Sequence, residues 1–324
     1  MFDLILTSRP LVVFFYTAGV KSVYHRRDDM TDRYDDFAIS TQNLTKTYKG
    51  VEALRSLDLK VPRNSIFGFL GPNGAGKSTA IKLLLGLIKP TSGSGSVFGL
   101  DIVNESSGIR QRIGYLPQNP KYYNYMTARE ILRFTAGFFY NRRDGIIERR
   151  IDEVLELAGL ADKADRSVKG FSGGELQRLG IAQAQVNSPE LLILDEPAAS
   201  LDPMGRRDVL DVMRALKGKT TIFYSTHILD DVERVSDTVG ILNRGELVAL
   251  APIRDLLTAS HSVIYDIVMH GESEALESRV SSQPWVSCVR VVTDGGCTRW
   301  SLTATDEISA ERNLLRMILG DDNI

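Results

Sequence analysis

Three glycines and a lysine between residues 71 and 79 constrain the fold more than any other feature of this chain. The segment reads GPNGAGKST, so Gly71, Gly76, Lys77 and Ser78 fit the spacing G-x-x-x-x-G-K-[ST]. Loops of this spacing wrap phosphate groups with backbone N–H donors, because glycine permits the turns that aim those donors inward. The segment therefore predicts a site for a nucleoside triphosphate at the start of a helix, whose N-terminus attracts anions.

The residues on either side of the loop fit this interpretation. Residues 65–70 (SIFGFL) predict a short buried strand, and residues 80–88 (AIKLLLGLI) predict a helix with an apolar face. We expect Lys77 to neutralise the β- and γ-phosphates and Ser78 to bind Mg²⁺. The predicted nucleotide-binding loop consists of Gly71, Pro72, Asn73, Gly74, Ala75, Gly76, Lys77, Ser78 and Thr79.

A second acidic motif lies farther along the chain. From Phe37 onward, short β-rich runs alternate with helical patterns, which predicts an α/β fold with a mainly parallel sheet. Residues 191–196 (LLILDE) place two carboxylates at the end of an apolar strand, where such sheets carry their sites. Asp195 is predicted to hold Mg²⁺ through water, and Glu196 to accept a proton from the attacking water. Taken alone, the segment could equally be a strand that ends in a solvated acidic turn.

Length, net charge and cysteine spacing indicate the number of domains and argue against several classes of partner and site. A chain of 324 residues favours two domains. The net charge of -2 argues against nucleic acid as a partner, since nucleic-acid-binding proteins usually carry a basic surface. Cys288 and Cys297 are too far apart for a C-x-x-C pair, so neither a zinc site nor a disulfide framework is indicated.

The first 36 residues differ from the rest of the chain. The apolar stretch from Leu11 to Val20 is too short to span a bilayer, and extending it back to Phe2 would include Arg9 and Pro10. A signal peptide is disfavoured because Asp3 offsets the single positive charge before the stretch. We interpret residues 1–36 as an extension outside the folded core. A membrane-surface anchor is the alternative.

A third motif, FSGGELQ at residues 171–177, completes an ordered set with the phosphate loop and LLILDE. With these motifs the chain resembles the nucleotide-binding subunit of an ATP-binding cassette (ABC) transporter. The segments GYLPQNP, MTARE and STHILDDVERVSD resemble the corresponding segments of multidrug and antibiotic exporter ATPases. The resemblance implies a P-loop NTPase cassette with a mainly parallel central sheet, an antiparallel β subdomain and a helical signature subdomain.

The resemblance also implies roles for individual residues. Glu196, His227 and Gln118 would be catalytic, and Ser78, Gln118 and Asp195 would hold Mg²⁺. Tyr48 would stack on adenine, and Asp202 would lie at the interface between two cassettes. The signature residues, which would contact the ATP of a second subunit, are Ser172, Gly173, Gly174 and Glu175. Glu175 stands where the family usually has glutamine. Each of these residues also has an ordinary structural explanation, such as helix capping by Asp202.

The implied assembly is a homodimer of ATP-binding subunits on multi-spanning permease subunits, peripheral to the cytoplasmic face of the membrane. Docking would use residues 119–169, which are rich in aromatic side chains. The cassette would cover residues 37–257, followed by a small α/β appendage over residues 258–324. Its sequence predicts a strand, a helix, two strands and a helix, over residues 263–269, 273–281, 285–292, 299–304 and 309–319. The alternative function is a regulatory or assembly ATPase that is not engaged in transport.

Overall fold

The computed structural model describes residues 36–140, 145–260, 263–270, 274–294 and 297–319. The predicted extension therefore lies outside the described residues, apart from Asp36. The described residues up to Ile253 form one compact unit, and those from Arg254 onward form another. The boundaries of the predicted cassette and appendage remain predictions.

A six-stranded sheet forms the centre of the first unit. Its strands are β3 (Ile66–Leu70), β6 (Ile113–Leu116), β7 (Leu191–Asp195), β8 (Thr221–Thr226), β9 (Thr238–Asn243) and β10 (Glu246–Pro252), in the order β10-β9-β3-β8-β7-β6. All pairings are parallel except that of β10 with β9. Every residue of β3, β7 and β8 is buried, as expected for strands covered on both faces. The predicted mainly parallel sheet is confirmed.

An antiparallel sheet forms a second layer of the same unit. Its strands are β1 (Phe37–Tyr48), β2 (Val51–Pro62), β4 (Ser92–Val97) and β5 (Leu100–Asp101), in the order β2-β1-β4-β5. Lys49 and Gly50 join β1 to β2, both with positive φ (46° and 85°), which is the two-residue turn that suits the twist of a hairpin. Leu44 and Leu57 of this sheet belong to the same hydrophobic core as Phe67 of β3. The predicted antiparallel β subdomain is confirmed.

Helices complete the first unit. They are α1 (Lys77–Leu84), α2 (Ser106–Arg112), α3 (Ala128–Ala136), α4 (Gly145–Leu157), α5 (Gly173–Gln185), α6 (Pro203–Ala215) and α7 (Leu229–Val235). Ile131, Val154 and Leu179 bring α3, α4 and α5 into one apolar core, which is the predicted helical subdomain. The predicted helix over residues 80–88 is part of α1, which begins at Lys77, at the end of the predicted phosphate loop, and ends at Leu84, four residues before the predicted end. It ends at Leu84 because Gly86 adopts a left-handed φ of 64°, and a Cβ there would lie 2.3 Å from the Cβ of Ser106.

The second unit contains a three-stranded antiparallel sheet with helices. Its elements are α8 (Ile253–Ser260), β11 (Val263–His270), α9 (Glu274–Ser281), β12 (Val286–Asp294), β13 (Cys297–Ala304) and α10 (Glu307–Leu319), with the strand order β11-β13-β12. Trp285 and Trp300 pack with Leu276 of α9 and Leu314 of α10 in one buried cluster. The predicted order of strands and helices in the appendage is confirmed.

Candidate functional site

The phosphate loop joins β3 to α1, and its glycines are required by shape. Gly76 has a φ of 109°, and a Cβ there would lie 2.4 Å from the carbonyl oxygen of Ala53. A Cβ on Gly71 would lie 2.3 Å from the carbonyl oxygen of Leu242. Real Cβ atoms do not approach backbone oxygens this closely, so side chains are excluded at both positions. The loop therefore keeps its backbone close to the sheet edge.

Lys77, the first residue of α1, lies inside this loop. Its ammonium donates hydrogen bonds to the carbonyl oxygens of Gly71 at 2.6 Å and Pro72 at 3.2 Å. The same Nζ lies 3.2 Å from Oε1 of Glu196, and both side chains are almost fully buried, with 6% and 5% exposure. Buried charges are tolerated when they are paired and hydrogen-bonded. The predicted phosphate-binding lysine and the predicted base are thus in direct contact.

Strand register brings the acidic motif beside the end of β8. Asp195 pairs with Ser225 across β7 and β8, and Leu70 at the end of β3 pairs with Thr226. Ser225 Oγ donates to Oδ1 of Asp195 at 2.6 Å and accepts the backbone N–H of Glu196 at 2.9 Å. One buried hydroxyl therefore fixes both the carboxylate of Asp195 and the backbone of Glu196.

Ser78 and Asp195 provide oxygen atoms next to the loop. Ser78 Oγ donates to Oδ1 of Asp195 at 3.3 Å. A hydroxyl and a carboxylate fit Mg²⁺, which takes few protein ligands and keeps water and phosphate oxygens for the rest. In the described part of the chain, this site included, no group of three or more His, Cys, Asp or Glu side chains is placed to hold a metal ion.

Glu196 combines backbone strain with a defined side-chain partner. Its φ is 52°, in the left-handed region that costs a non-glycine residue about 1–2 kcal/mol. Its Oε2 lies 2.7 Å from Nδ1 of His227, the residue that follows β8. The carboxylate thus bridges the imidazole on one side and the ammonium of Lys77 on the other. Both carboxylate oxygens are therefore engaged, and Glu196 could accept a proton from a reacting water only after one of these nitrogen groups moves away.

The signature residues start α5. The hydroxyl of Ser172 accepts the N–H of Glu175 at 3.2 Å, and Oε2 of Glu175 accepts the N–H of Ser172 at 2.7 Å. This reciprocal arrangement is a capping box. The ammonium of Lys163 donates to Oε1 of Glu175 at 2.6 Å, which lowers the pKa of that carboxyl. The signature is therefore a helix start whose carboxylate is ionised and paired.

Gly174 places the signature helix against the helix that Asp202 begins. Asp202 caps α6 by accepting the N–H of Gly205 at 3.2 Å, and Pro203 is the first helical residue. A Cβ on Gly174 would lie 3.1 Å from Cα of Gly205, so the two helices meet backbone to backbone at these residues. The capping explanation for Asp202 is therefore correct, and a role at an interface remains a prediction.

Comparisons with known proteins identify the family of this chain. The family model described as ABC transporter matches residues 54–199. An uncharacterized ABC transporter ATP-binding protein of Bacillus subtilis is 39% identical over 251 residues, which cover 78% of this chain and 82% of that protein. The chain belongs to the ABC transporter ATP-binding proteins. This assigns it to a family that binds and hydrolyses ATP.

Other ABC relatives are named for drugs. The bacitracin transport ATP-binding protein of Bacillus licheniformis is 43% identical, over 67% of this chain and 71% of that protein. The daunorubicin/doxorubicin resistance ATP-binding protein of Streptomyces peucetius is 36% identical, over 74% and 73%. A solved ATP-binding subunit of an ABC transporter matches with a TM-score of 0.60 and 31% identity, covering 68% of this chain and 91% of that one. The resemblance to drug and antibiotic exporter ATPases is confirmed.

The remaining ABC motif residues lie near the surface. Gln118 follows β6, the strand next to β7, and its side chain is exposed. Tyr48 ends β1 half-exposed, with the ammonium of Lys46 at 5.1 Å from the centre of its ring. Asn73 and Gly74 are exposed in the loop, whereas Ala75 is buried. The roles of these residues in binding remain predictions.

The sequence did not single out Ser225 or Lys163. Ser225 is the penultimate residue of β8, two residues before His227, and its place near the end of a strand predicted to lie beside the Asp195 strand was the available signal. Lys163 lies in a single helical turn, Ala161–Lys163, twelve positions before the glutamate it contacts. No short-range pattern connects it to the signature.

A groove and a group of exposed rings lie on the helical side of the cassette. The groove has a volume of about 400 Å³ and is lined by Leu87, Tyr115, Pro120, Tyr122, Phe139 and Gln183 among others. Residues 119–169, the predicted docking segment, contain seven aromatic side chains, and five of them are exposed, namely Tyr123, Tyr125, Phe134, Phe138 and Phe139. Tyr122 and Tyr140 instead pack against the helical core. Within the described ranges, no helix combines the length and apolar character needed to cross a membrane.

Proposed function

We propose that this chain is the ATP-hydrolysing subunit of a membrane exporter, and that two cassettes close head to tail on two ATP molecules. The observation that carries the proposal is Glu196, held between the nitrogen atoms of His227 at 2.7 Å and Lys77 at 3.2 Å at the end of the phosphate loop. This arrangement puts a base, a cation and backbone donors around one point. It is what hydrolysis of a triphosphate requires.

The loop residues would bind the nucleotide. Backbone N–H groups of residues 73, 74 and 76–79 would surround the β- and γ-phosphates, since Pro72 has no N–H and those of Gly71 and Ala75 donate to Thr226 and Pro72. Lys77 would exchange its contact with Glu196 for phosphate oxygens. The half-exposed ring of Tyr48 would stack on adenine. The phosphate contacts of Lys77 would replace its internal contacts with Gly71, Pro72 and Glu196, so nucleotide binding would rearrange the lysine.

Ser78, Asp195 and Gln118 would hold Mg²⁺, which when bound neutralises charge on the phosphates. Ser225 would keep the carboxylate of Asp195 oriented, through the hydrogen bond at 2.6 Å. Gln118 would turn from its exposed position toward this edge. Mg²⁺ is proposed from this set of hard oxygen atoms, which is the donor type that the ion prefers.

Glu196 would act as the general base. Its carboxylate would accept a proton from the water that attacks the γ-phosphate, and His227 would hold the carboxylate in place and contact the phosphate. Release of Lys77 toward the phosphates would leave Glu196 free to bind that water. A positioned base is worth about 10²–10⁴ in rate.

The second subunit would complete the site. Ser172, Gly173 and Gly174 start a helix whose N-terminus can receive the γ-phosphate of a second protomer. The contact between Gly174 and Gly205 would transmit their position to Asp202 across the helix pair. A bacterial ABC transporter cassette solved as a dimer is 28% identical, covers 67% of this chain and has a TM-score of 0.60, which supports a homodimer here.

Permease subunits would dock on the helical side. The exposed rings of Tyr125 and Phe138, with 80% and 74% exposure, suit a protein interface better than open water. The adjoining groove is large enough for part of an apolar helix from a membrane partner. The chain would then be peripheral to the cytoplasmic face of the membrane. Relatives named for bacitracin transport and daunorubicin resistance support export of drug-like molecules.

Glu196→Gln tests the hydrolysis and dimer parts together. The change keeps shape and hydrogen bonding but removes the basic carboxylate, so we expect hydrolysis to fall about 10²–10⁴-fold while ATP still binds. Bound ATP should then hold two chains together in size-exclusion chromatography with Mg²⁺. Glu233→Gln, an exposed glutamate of α7, is the matched control and should hydrolyse normally. Wild-type hydrolysis by Glu196→Gln would refute the base assignment.

Co-purification in detergent tests the transporter part. We expect a multi-spanning membrane protein to accompany the tagged chain, and the double change Phe134→Ser and Phe138→Ser to release it without lowering ATP binding. The two rings contact each other in an edge-to-face pair at 5.2 Å, so they are removed as one unit. ATPase activity with no membrane protein retained would favour the regulatory or assembly ATPase.

A further inference from the structure

The start of α5 carries a negative charge at the place where the proposed function needs to receive an anion. Glu175 is the third residue of this helix, and Oε2 of its carboxylate accepts the N–H of Ser172 at 2.7 Å. A carboxylate here uses part of the positive potential of the helix N-terminus. It also repels the phosphate of an incoming nucleotide, because like charges in a partly buried site are weakly screened.

Lys163 offsets that charge. Its ammonium donates to Oε1 of Glu175 at 2.6 Å, and the two side chains are 32% and 12% exposed, so the pair is partly shielded from water. The positive charge of Arg166 also acts on the carboxyl. Both carboxylate oxygens of Glu175 accept hydrogen bonds, Oε1 from the ammonium of Lys163 and Oε2 from the backbone N–H of Ser172.

The capping box itself does not account for the lysine. Thr127 and Glu130 form the same reciprocal box at the start of α3. The basic residues of that helix pair elsewhere: Arg129 donates to Asp152 at 2.7 Å, and Arg133 donates two hydrogen bonds to Glu148, at 2.6 and 2.8 Å. A helix of this kind therefore starts without a direct ion pair on its box carboxylate. The ion pair at α5 points to a requirement of charge rather than of capping.

We propose that Lys163 is a positioning residue for the shared nucleotide site, which holds Glu175 on the signature backbone and cancels its charge so that the second protomer's triphosphate can approach. The inference rests on the proposed function, because the phosphate it concerns belongs to a second subunit. It assigns Lys163 a role in assembly of the dimer and none in nucleotide binding by the subunit that carries it.

The experiment measures ATP-dependent dimerisation of the full chain in the Glu196→Gln background. We expect Lys163→Met to raise the ATP concentration for half-maximal dimerisation by roughly tenfold, since an unpaired carboxylate would then face the phosphate. Adding Glu175→Gln should restore it to within about threefold of the parent, because the amide keeps the capping bond without the charge. The defect of Lys163→Met should shrink at about 1 M salt, where the screening length is about 3 Å.

Arg133→Met is the matched control, because it breaks an ion pair of equal length, 2.6 Å, on the same helical subdomain. It should leave dimerisation unchanged. Dimerisation of Lys163→Met at the parent's ATP concentration overturns the inference, as does a double variant that stays as impaired as Lys163→Met, since the pair would then be structural. A Glu196→Gln parent that is monomeric in saturating ATP is a different result, because it overturns the shared site and the inference with it.

Discussion

Two helices of the cassette begin with N-termini that the proposed reaction uses to bind phosphate, and they begin in opposite ways. α1 starts after Gly76, with a φ of 109°, no side-chain cap and no acidic residue in its first turn. α5 starts after Ser172 with a complete capping box and an acidic residue in its first turn. At α1 no side chain accepts the first backbone N–H groups of the helix, whereas at α5 the hydroxyl of Ser172 accepts one of them.

The difference follows from what else each helix start must do. α1 is anchored by the sheet edge around it, so its N–H groups can be kept for a ligand, and its positive charge is supplied by the buried Lys77. α5 begins at an exposed serine and needs local capping to hold its first turn. The proposed phosphate site at α1 lies within one subunit, so this helix can begin without a cap. The proposed site at α5 is completed only by a second subunit, so this helix must be stable in the single subunit.

The largest expected effect on nucleotide binding comes from a change at the start of α1. Lys77→Ala removes the cation that is proposed to face the β- and γ-phosphates, and we expect ATP affinity to fall about 100-fold, measured by isothermal titration. Lys82→Ala, on the exposed face of the same helix, is the control and should bind ATP normally. Equal affinities for the Lys77 variant and the wild type would remove Lys77 from its predicted role.

The next effect separates two glycines of the same loop. Gly76→Ala places a Cβ 2.4 Å from a backbone oxygen at a φ of 109°, and we expect it to lower the free energy of unfolding by about 3 kcal/mol. Gly74→Ala also has a positive φ, 81°, but nothing lies within 4 Å of its Cβ, so about 1 kcal/mol is expected. Urea unfolding without nucleotide measures both. Equal losses would mean that shape does not distinguish the two positions.

Two capping residues sharpen the comparison on the α5 side. Ser172→Ala and Thr127→Ala each remove the hydroxyl of a capping box, so each should cost about 1 kcal/mol of stability. Only Ser172→Ala should also weaken ATP-dependent dimerisation in the Glu196→Gln background, because only Ser172 belongs to the signature. Parallel behaviour of the two variants in both measurements would show that Ser172 acts as a cap alone.

The smallest effect concerns pH. The hydrogen bond from Lys163 lowers the pKa of Glu175 below its ordinary value of 4.5, so the folded state favours the ionised carboxylate. The stability that Glu175 contributes is therefore present above about pH 4.5 and is lost as the pH falls through the folded-state pKa. Melting temperatures of wild type and Glu175→Gln should differ most near pH 7 and converge in acid. A difference that is constant with pH would contradict the ionised pair.

Much of the site could be predicted because its motifs are local. The phosphate loop and LLILDE each place their chemistry within nine residues or fewer, between runs whose periodicity indicates a strand or a helix. The second unit was predicted in the correct order for the same reason, since its strands and helices are short and clearly patterned. The predicted helix over residues 80–88 is too long at its C-terminal end because Gly86, inside that range, adopts a left-handed φ of 64°, and a glycine at this place is itself a local stop signal.

The sequence by itself determined the family of the chain, the loop that is predicted to bind phosphate, the acidic strand end and the order of elements, because each depends on residues that are close along the chain. Only the tertiary structure decided that Ser225 joins Asp195 to Glu196, that Lys77 pairs with Glu196, and that Lys163 pairs with the glutamate of the signature. These contacts join residues from separate elements. Their geometry depends on strand register and on the packing of turns against helices, and the free energy that fixes both comes from burial of the whole core.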